Sequence, residues 1–362
     1  MASSVTIRVL AARAGLAPST ISIALRNDPR LPLATRQKVK ALAKRLGYQP
    51  NALVAKLMAG VRRRGIDRDP QTLAYVICWH STMAYYHFKS YRLYREGAAA
   101  RAAEFGYLFE DFAVNPQALS TARLRKILRT RAIPGVLIAP IELHPESPAN
   151  FPVPLACRPH AVSTIGYSLR SPRVHRATHD HAQGIALAFR ELREQGFRRI
   201  GFAFSREIQA RVEGRWLNGF LGAQFGLPAP ERVPPLLLEE LGQMAPFWSW
   251  LQRHRPDALV VVELDHFNAA FAARAPSVEA GGAVAAPLLV HLDRVPEAPE
   301  WGIDQHCREV GAAAFDLLMA QIHRNEKGVP AMPKTIMLEG GWKEPSAPEK
   351  SGIQLSSRME LH

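Results

Sequence analysis

Thirteen of the first 64 residues are Lys or Arg and only one, Asp28, is acidic, yet this segment is also patterned to fold. Its local excess is +12, while the rest of the chain, with 33 basic and 31 acidic residues, carries +2. Val5, Ile7, Leu10, Ala11 and Ala14 recur at helical spacing, with Thr6 placed to open a helix and Gly15 to close it. Pro18 suits the first turn of a second helix, in which Ile21, Ala24 and Leu25 make the buried stripe while Ser19, Thr20, Ser22, Ile23 and Arg26 point elsewhere. After a break at Asn27-Asp28-Pro29, a third helix is expected from about Leu33 to Leu46, with Val39, Leu42, Ala43 and Leu46 inward and Gly47 at its end. Two short helices joined by a glycine turn and braced by a third form the helix-turn-helix arrangement, whose second helix enters the major groove. Charge concentrated on such a unit attracts phosphates far more than charge spread over the chain.

With 362 residues and 47% apolar content, the chain has room for a small domain and a large one. No apolar run approaches the length of a membrane span, and Arg8 and Arg13 interrupt the first segment, so neither a span nor a secretory leader is expected. The expected location is the cytoplasm. Cys78, Cys157 and Cys307 form no CxxC pair and are expected as reduced thiols, with no zinc held through cysteine.

From Thr72 the composition changes. Residues 73–78, 135–139, 200–204, 258–262 and 288–292 read as buried strands, alternating with helical stretches at 91–105, 184–195, 214–225 and 308–323. Strand followed by helix, repeated, gives doubly wound parallel sheets.

Thr6, Ala14-Gly15, Ser19-Thr20-Ile21-Ser22, Thr35-Arg36, Leu46-Gly47-Tyr48 and Pro50-Asn51 together resemble the DNA-binding head of the LacI/GalR repressors over Val5 to Leu57. In the large domain, Gly106-Tyr107, the phrase from Gly196 to Ile200, and that from Pro256 to Leu259 resemble, in order and spacing, the same family's core. The fold class implied is α/β: a three-helix helix-turn-helix head (1–49), a hinge helix and linker (50–71), and a two-lobed periplasmic-binding-protein-like core of parallel sheets (72–345). The N-lobe would take about 72–167 and 296–325, and the C-lobe about 168–295 and 326–345, with crossovers near 168, 295 and 326 and a ligand cleft between the lobes. The tail, 346–362, is polar and expected to be disordered.

The resemblance also implies roles. Pro18, Ser19 and Ile23 fall where base-reading side chains lie, with Arg26 as a further candidate. Thr6, Thr20, Ser22 and Asn51 fall where phosphates are contacted. Leu57 matches a hinge leucine that wedges into a base step of the minor groove; the alternative, a plain amphipathic stripe of Leu53 and Leu57, is disfavoured because Arg62-Arg63-Arg64 beyond it leave no apolar surface for a core. For Ser19 and Thr20 the alternative is helix capping. Ile23 departs from the arginine many members carry, and offers apolar contact in place of a bidentate guanine bond. Asp293 and Arg215, with Arg211 as the alternative to the latter, and Asp180 fall near effector-contacting positions. The family's Asn-Asp pair after the strand ending at Val262 is replaced by Glu263-Leu264-Asp265, which argues against an ordinary sugar or purine, with a sugar or a derivative of one still among the candidates.

The partners implied are a pseudo-palindromic duplex operator, a small-molecule effector and a second copy of the chain, without cofactor and without membrane. The stretch from His175 to His181, with His179 between, raises a metal site, but its spacing suits helical ligands only for the first pair. Walker, esterase-elbow and HExxH motifs are missing. An enzyme is therefore not expected, although Glu263, Asp265 and His291 could in principle supply an acid and a base. A solute-binding protein that acquired basic residues, with non-specific DNA affinity, is the other alternative.

Overall fold

The computed structural model describes residues 6–25, 27–48, 70–115, 119–142, 159–274 and 286–345. The hinge region with Asn51 and Leu57, the residue Arg26, and the tail lie outside them.

The head is three helices, α1 (Ile7–Ala14), α2 (Pro18–Leu25) and α3 (Leu33–Arg45). The Thr6 hydroxyl caps α1 by accepting from the Val9 amide, and Gly15 closes it in the left-handed region at φ 64°, where a side chain would be strained. Leu10, Ile21, Ala24 and Val39, at most 1% exposed, lock the three helices together, with Ala11 and Ala43 filling the small gaps. Burial of three such aliphatic side chains is worth about 2 kcal/mol each, little for a domain this small. The turn from α2 to α3 is tied down by polar bonds instead: Arg36 donates to the Asn27 carbonyl at 3.1 Å and to its side-chain oxygen at 3.2 Å, and Lys40 donates to the same oxygen at 3.2 Å.

The rest of the described chain forms two α/β units. In the first, β1 (Gln71–Ile77) leads through α4 (Thr82–His87) and α5 (Lys89–Glu104) to β2 (Tyr107–Ala113), then α6 (Thr121–Thr130), β3 (Gly135–Ile138), β4 (Ala161–Ile165) and β5 (His175–His179). The chain then runs through α7 (His181–Glu194), β6 (Ile200–Ser205), α8 (Arg206–Arg211), α9 (Arg215–Gln224), β7 (Leu236–Leu238), α10 (Ala245–His254), β8 (Ala258–Val261), α11 (Leu264–Arg274), β9 (Leu288–Arg294) and β10 (Trp301–Asp304). It closes with α12 (Cys307–Arg324), β11 (Thr335–Leu338) and β12 (Gly341–Lys343). One sheet has the order β11-β5-β4-β3-β1-β2 and the other β12-β10-β9-β8-β6-β7. The pairs from β1 to β5, and those among β6, β7, β8, β9 and β10, are parallel, so each sheet is doubly wound as the alternating pattern predicts.

The head, residues up to Thr178, and Cys307–Met337 form one compact unit, and His179–His306 with the segment from Leu338 form the other. The chain thus changes unit further along than the sequence positions near 168, 295 and 326. The reason is strand pairing: β5 pairs with β4 in the first sheet, β10 pairs with β9 in the second, and β11 joins the edge of the first before the chain leaves it.

Candidate nucleic-acid interface and effector subsites

On α2 the inward stripe leaves a specific outward face. Pro18 and Ser19 are exposed, and Thr20, Ser22 and Ile23 are half-buried. Ser19 and Thr20 sit within the first turn, where the Ile21 amide already bonds back to the Ala17 carbonyl, and among the described residues neither hydroxyl is engaged in a cap. Their polar atoms face outward on a unit that also exposes Arg13, Lys38, Lys40, Lys44 and Arg45. Two basic residues serve the head itself. Arg36 holds the Asn27 turn, and Arg30 pairs with Asp28 at 2.7 Å. The sequence carries a signal for this anchor in Asn27 itself, a residue type that tolerates the left-handed region, which it adopts at φ 61°.

In an open doubly wound sheet, ligands settle outside the carboxyl ends of the two strands where the strand order reverses. In the second unit these are β6 and β8. Ser205, the last residue of β6, donates a short hydrogen bond to Oε1 of Glu263, just past β8. Burial raises the Glu263 carboxyl above the ordinary carboxylate range, and its Oε2 is buried without a hydrogen-bond partner among the described residues. Asp293, half-buried, stands next to last on the neighbouring β9. Arg215 opens α9 and lies 3.7 Å from Glu213, while Arg211, at the end of α8, pairs with Glu207 at 2.5 Å and is the more covered of the two. Asp180 caps α7, accepting from the Gln183 amide at 3.1 Å, which gives it a structural task whatever else it contacts. His291 directs Nε2 to the Val262 carbonyl at 2.9 Å and Nδ1 to Glu300 at 3.2 Å, so its ring is committed to neighbours other than Glu263.

The corresponding strands in the first unit are β1 and β3. Beyond their ends, the Trp79 indole donates to the Pro140 carbonyl at 2.8 Å, and the His80 amide donates to Glu142 at 2.8 Å, with the His80 ring on the other carboxylate oxygen. Asn115, following β2, donates to the Trp79 and His80 carbonyls. Tyr85, Phe88 and Tyr91 pack around Trp79 with ring centroids 5.5–5.9 Å away. Sequence reasoning missed this group, although the aromatic spacing in WHSTMAYYHFKSY was a visible signal.

The histidine stretch is not a helical metal motif. His175 and His179 lie on strand β5, and the His175 ring accepts from the Lys334 amide at 2.9 Å. His179 and His181 pack against each other, tilted by 37°, and against Trp216, which meets His181 edge to face. Among the described residues no group of three metal-ligating side chains is assembled, nor is any helix long and apolar enough to cross a membrane.

A basic three-helix head whose second helix turns Pro18 and Ser19 outward, followed by two doubly wound units, is the architecture of a helix-turn-helix DNA-binding regulator with an α/β core. Residues 6–51 match the family model described as bacterial regulatory proteins, lacI family, and the chain carries the DNA-binding head of that family. No curated protein matches the chain in sequence. Among solved structures, a transcriptional regulator CelR-cellobiose complex is 21% identical with a TM-score of 0.55, covering 95% of this chain and 100% of that one. The lac repressor dimer bound to operator and the anti-inducer ONPF is 18% identical with a TM-score of 0.52, covering 95% and 98%. A regulatory protein of LacI family from Chloroflexus aggregans is 16% identical with a TM-score of 0.53, covering 77% and 98%. At these identities the likeness establishes a shared fold.

Proposed function

We propose that the chain is a repressor that binds a pseudo-palindromic operator as a homodimer and is controlled by a small molecule held at the carboxyl ends of the core strands. The observation that carries this reading is the outward face of α2, where Pro18 and Ser19 are exposed beside Thr20 and Ile23, on a strongly basic head. In it Pro18, Ser19, Ile23 and Arg26 read bases, Thr6, Thr20, Ser22 and Asn51 hold phosphates, and Leu57 wedges into the minor groove. Asp293, Arg215 or Arg211, and Asp180 contact the effector, and the regulators of like fold captured with cellobiose or with operator and ONPF support that division of labour. Control follows from linkage: an effector with different affinities for two core conformations changes operator affinity by the same factor, and operator changes effector affinity reciprocally.

The test is selection of a random-sequence duplex pool by the full chain at two salt concentrations, beside a truncation lacking residues 1–60. A palindrome recovered by the full chain and lost on truncation supports the reading. Salt-sensitive binding without sequence preference leaves a small-molecule-binding protein with non-specific DNA affinity.

A further inference from the structure

Helix α6 is the most one-sided charged element of the core. From Thr121 to Thr130 it carries four basic residues and no acidic one, although the core as a whole is nearly neutral. Leu124 and Leu128, both 0% exposed, pin one face of the helix to the sheet. Arg123, Arg125, Lys126 and Arg129 fan across the opposite face, all exposed, and among the described residues none has an acidic partner. By contrast Arg131, Arg95 and Arg324 are each neutralised, by Glu110, Asp111 and Glu326. A cation at the end of a helix complements its dipole, which accounts for Arg129 but not for the three before it.

The direction of α6 gives the face a partner. In a parallel sheet a crossover helix runs back from the carboxyl end of one strand to the amino end of the next, so α6 carries its charges from the end of β2 towards the start of β3. That is the edge at which Gln71 begins β1, directly after the segment joining core to head. Arg129 there lines a common pocket with Asn325 and Lys327, and Asn325 donates to the Asn27 carbonyl of the head at 2.9 Å.

We propose that the outer face of α6 is a second DNA-contact surface, holding the phosphates of duplex that flanks the site read by the head. The inference rests on the head's binding DNA. It makes the contact non-specific in sequence, additive to the head's affinity and steeply dependent on salt, because each neutralised phosphate releases counter-ions.

The experiment compares two duplexes containing the operator selected by the full chain, one ending at the operator and one extended by two helical turns on each side. The full-length triple variant Arg125→Gln/Lys126→Gln/Arg129→Gln is measured beside the unaltered chain over a salt series. The expected result is equal binding of the short duplex, roughly tenfold weaker binding of the long one, and a salt slope on the long duplex reduced by about 2 to 3. Equal binding of the short duplex also shows that the variant is folded. Unchanged slope on the long duplex, as an acidic protein partner for α6 would give, overturns the proposal, and so does an equal loss on both duplexes. Failure of the unaltered chain to select any operator is a separate result, and removes the operator-binding reading on which this proposal rests.

Discussion

The rings of His179 and His181 lie with centroids 3.7 Å apart where β5 passes into α7, and the Trp216 ring stands edge-on to His181 at 4.8 Å. Both imidazoles are buried, and burial lowers His179 to about 3 and His181 well below 6.5, the latter further opposed by His179 and by the Arg215 guanidinium. The fold therefore holds both rings neutral, while the unfolded chain protonates them near their ordinary value.

Stability from this pair is complete above about pH 6.5 and is lost as pH falls towards 3, because the unfolded state then binds more protons than the folded one. His179 alone should cost about 2 kcal/mol by pH 5. Thermal unfolding at pH 7.5 and at pH 5 should show a larger loss of Tm in the unaltered chain than in His179→Gln. Parallel losses would mean that the ring is not held neutral.

Gly97 on α5 and Gly311 on α12 let the two helices cross almost backbone to backbone. A Cβ on Gly97 would fall 1.9 Å from the Arg308 carbonyl oxygen, and one on Gly311 2.1 Å from that of Tyr94. The obstacles are main-chain atoms, so relief requires the helices to separate and the core beneath them to loosen. Gly311→Ala should cost about 3 kcal/mol, read as a clear fall in the urea midpoint. A midpoint within error of the unaltered chain would contradict so close a crossing.

The sequence disclosed most where local pattern and final environment agree. Leu10, Ile21, Ala24 and Val39 declared the head by helical spacing, and the runs at 73–78, 135–139, 200–204 and 258–262 declared parallel strands because both of their faces are covered. Strands β4 and β5 went unread because polar residues are buried in them. Ser163 donates to the Ala314 carbonyl, Thr164 to that of Ile138, and Arg176 to those of Gly166 and Leu169, partners that only the tertiary fold supplies. Trp79 with Pro140, and Ser205 with Glu263, escaped for the same reason: each pair is brought together by strand order and is distant in sequence.

Glu263 gives a prediction of opposite sign to the histidines. A carboxyl whose folded-state pKa is raised favours the protonated form, so the folded state loses stability as pH rises from the ordinary carboxylate range through that raised value. Glu263→Gln keeps an acceptor for the Ser205 hydroxyl and removes the buried charge. It should unfold later than the unaltered chain at pH 8 by about 1 kcal/mol, with the difference shrinking at pH 5. A variant equally or less stable at pH 8 would show that the carboxylate is well solvated.

Ile23 separates reading from folding within the head. It lies half-buried on α2, outside the set of buried residues that joins the three helices. As a base-contacting side chain it can exclude water from, and pack against, a thymine methyl, while its replacement by arginine would offer two donors to guanine. Ile23→Ala should therefore relax preference at a single base pair of each half-site, by about 1 kcal/mol, and leave the salt slope unchanged because no phosphate contact is removed. Ile23→Arg should move that one position towards guanine. Repeating the duplex selection with each variant reads both outcomes directly. Were Ile23 instead part of the head's packing, both variants would weaken binding to every sequence alike, and the selected motif would keep its preferences at lower affinity.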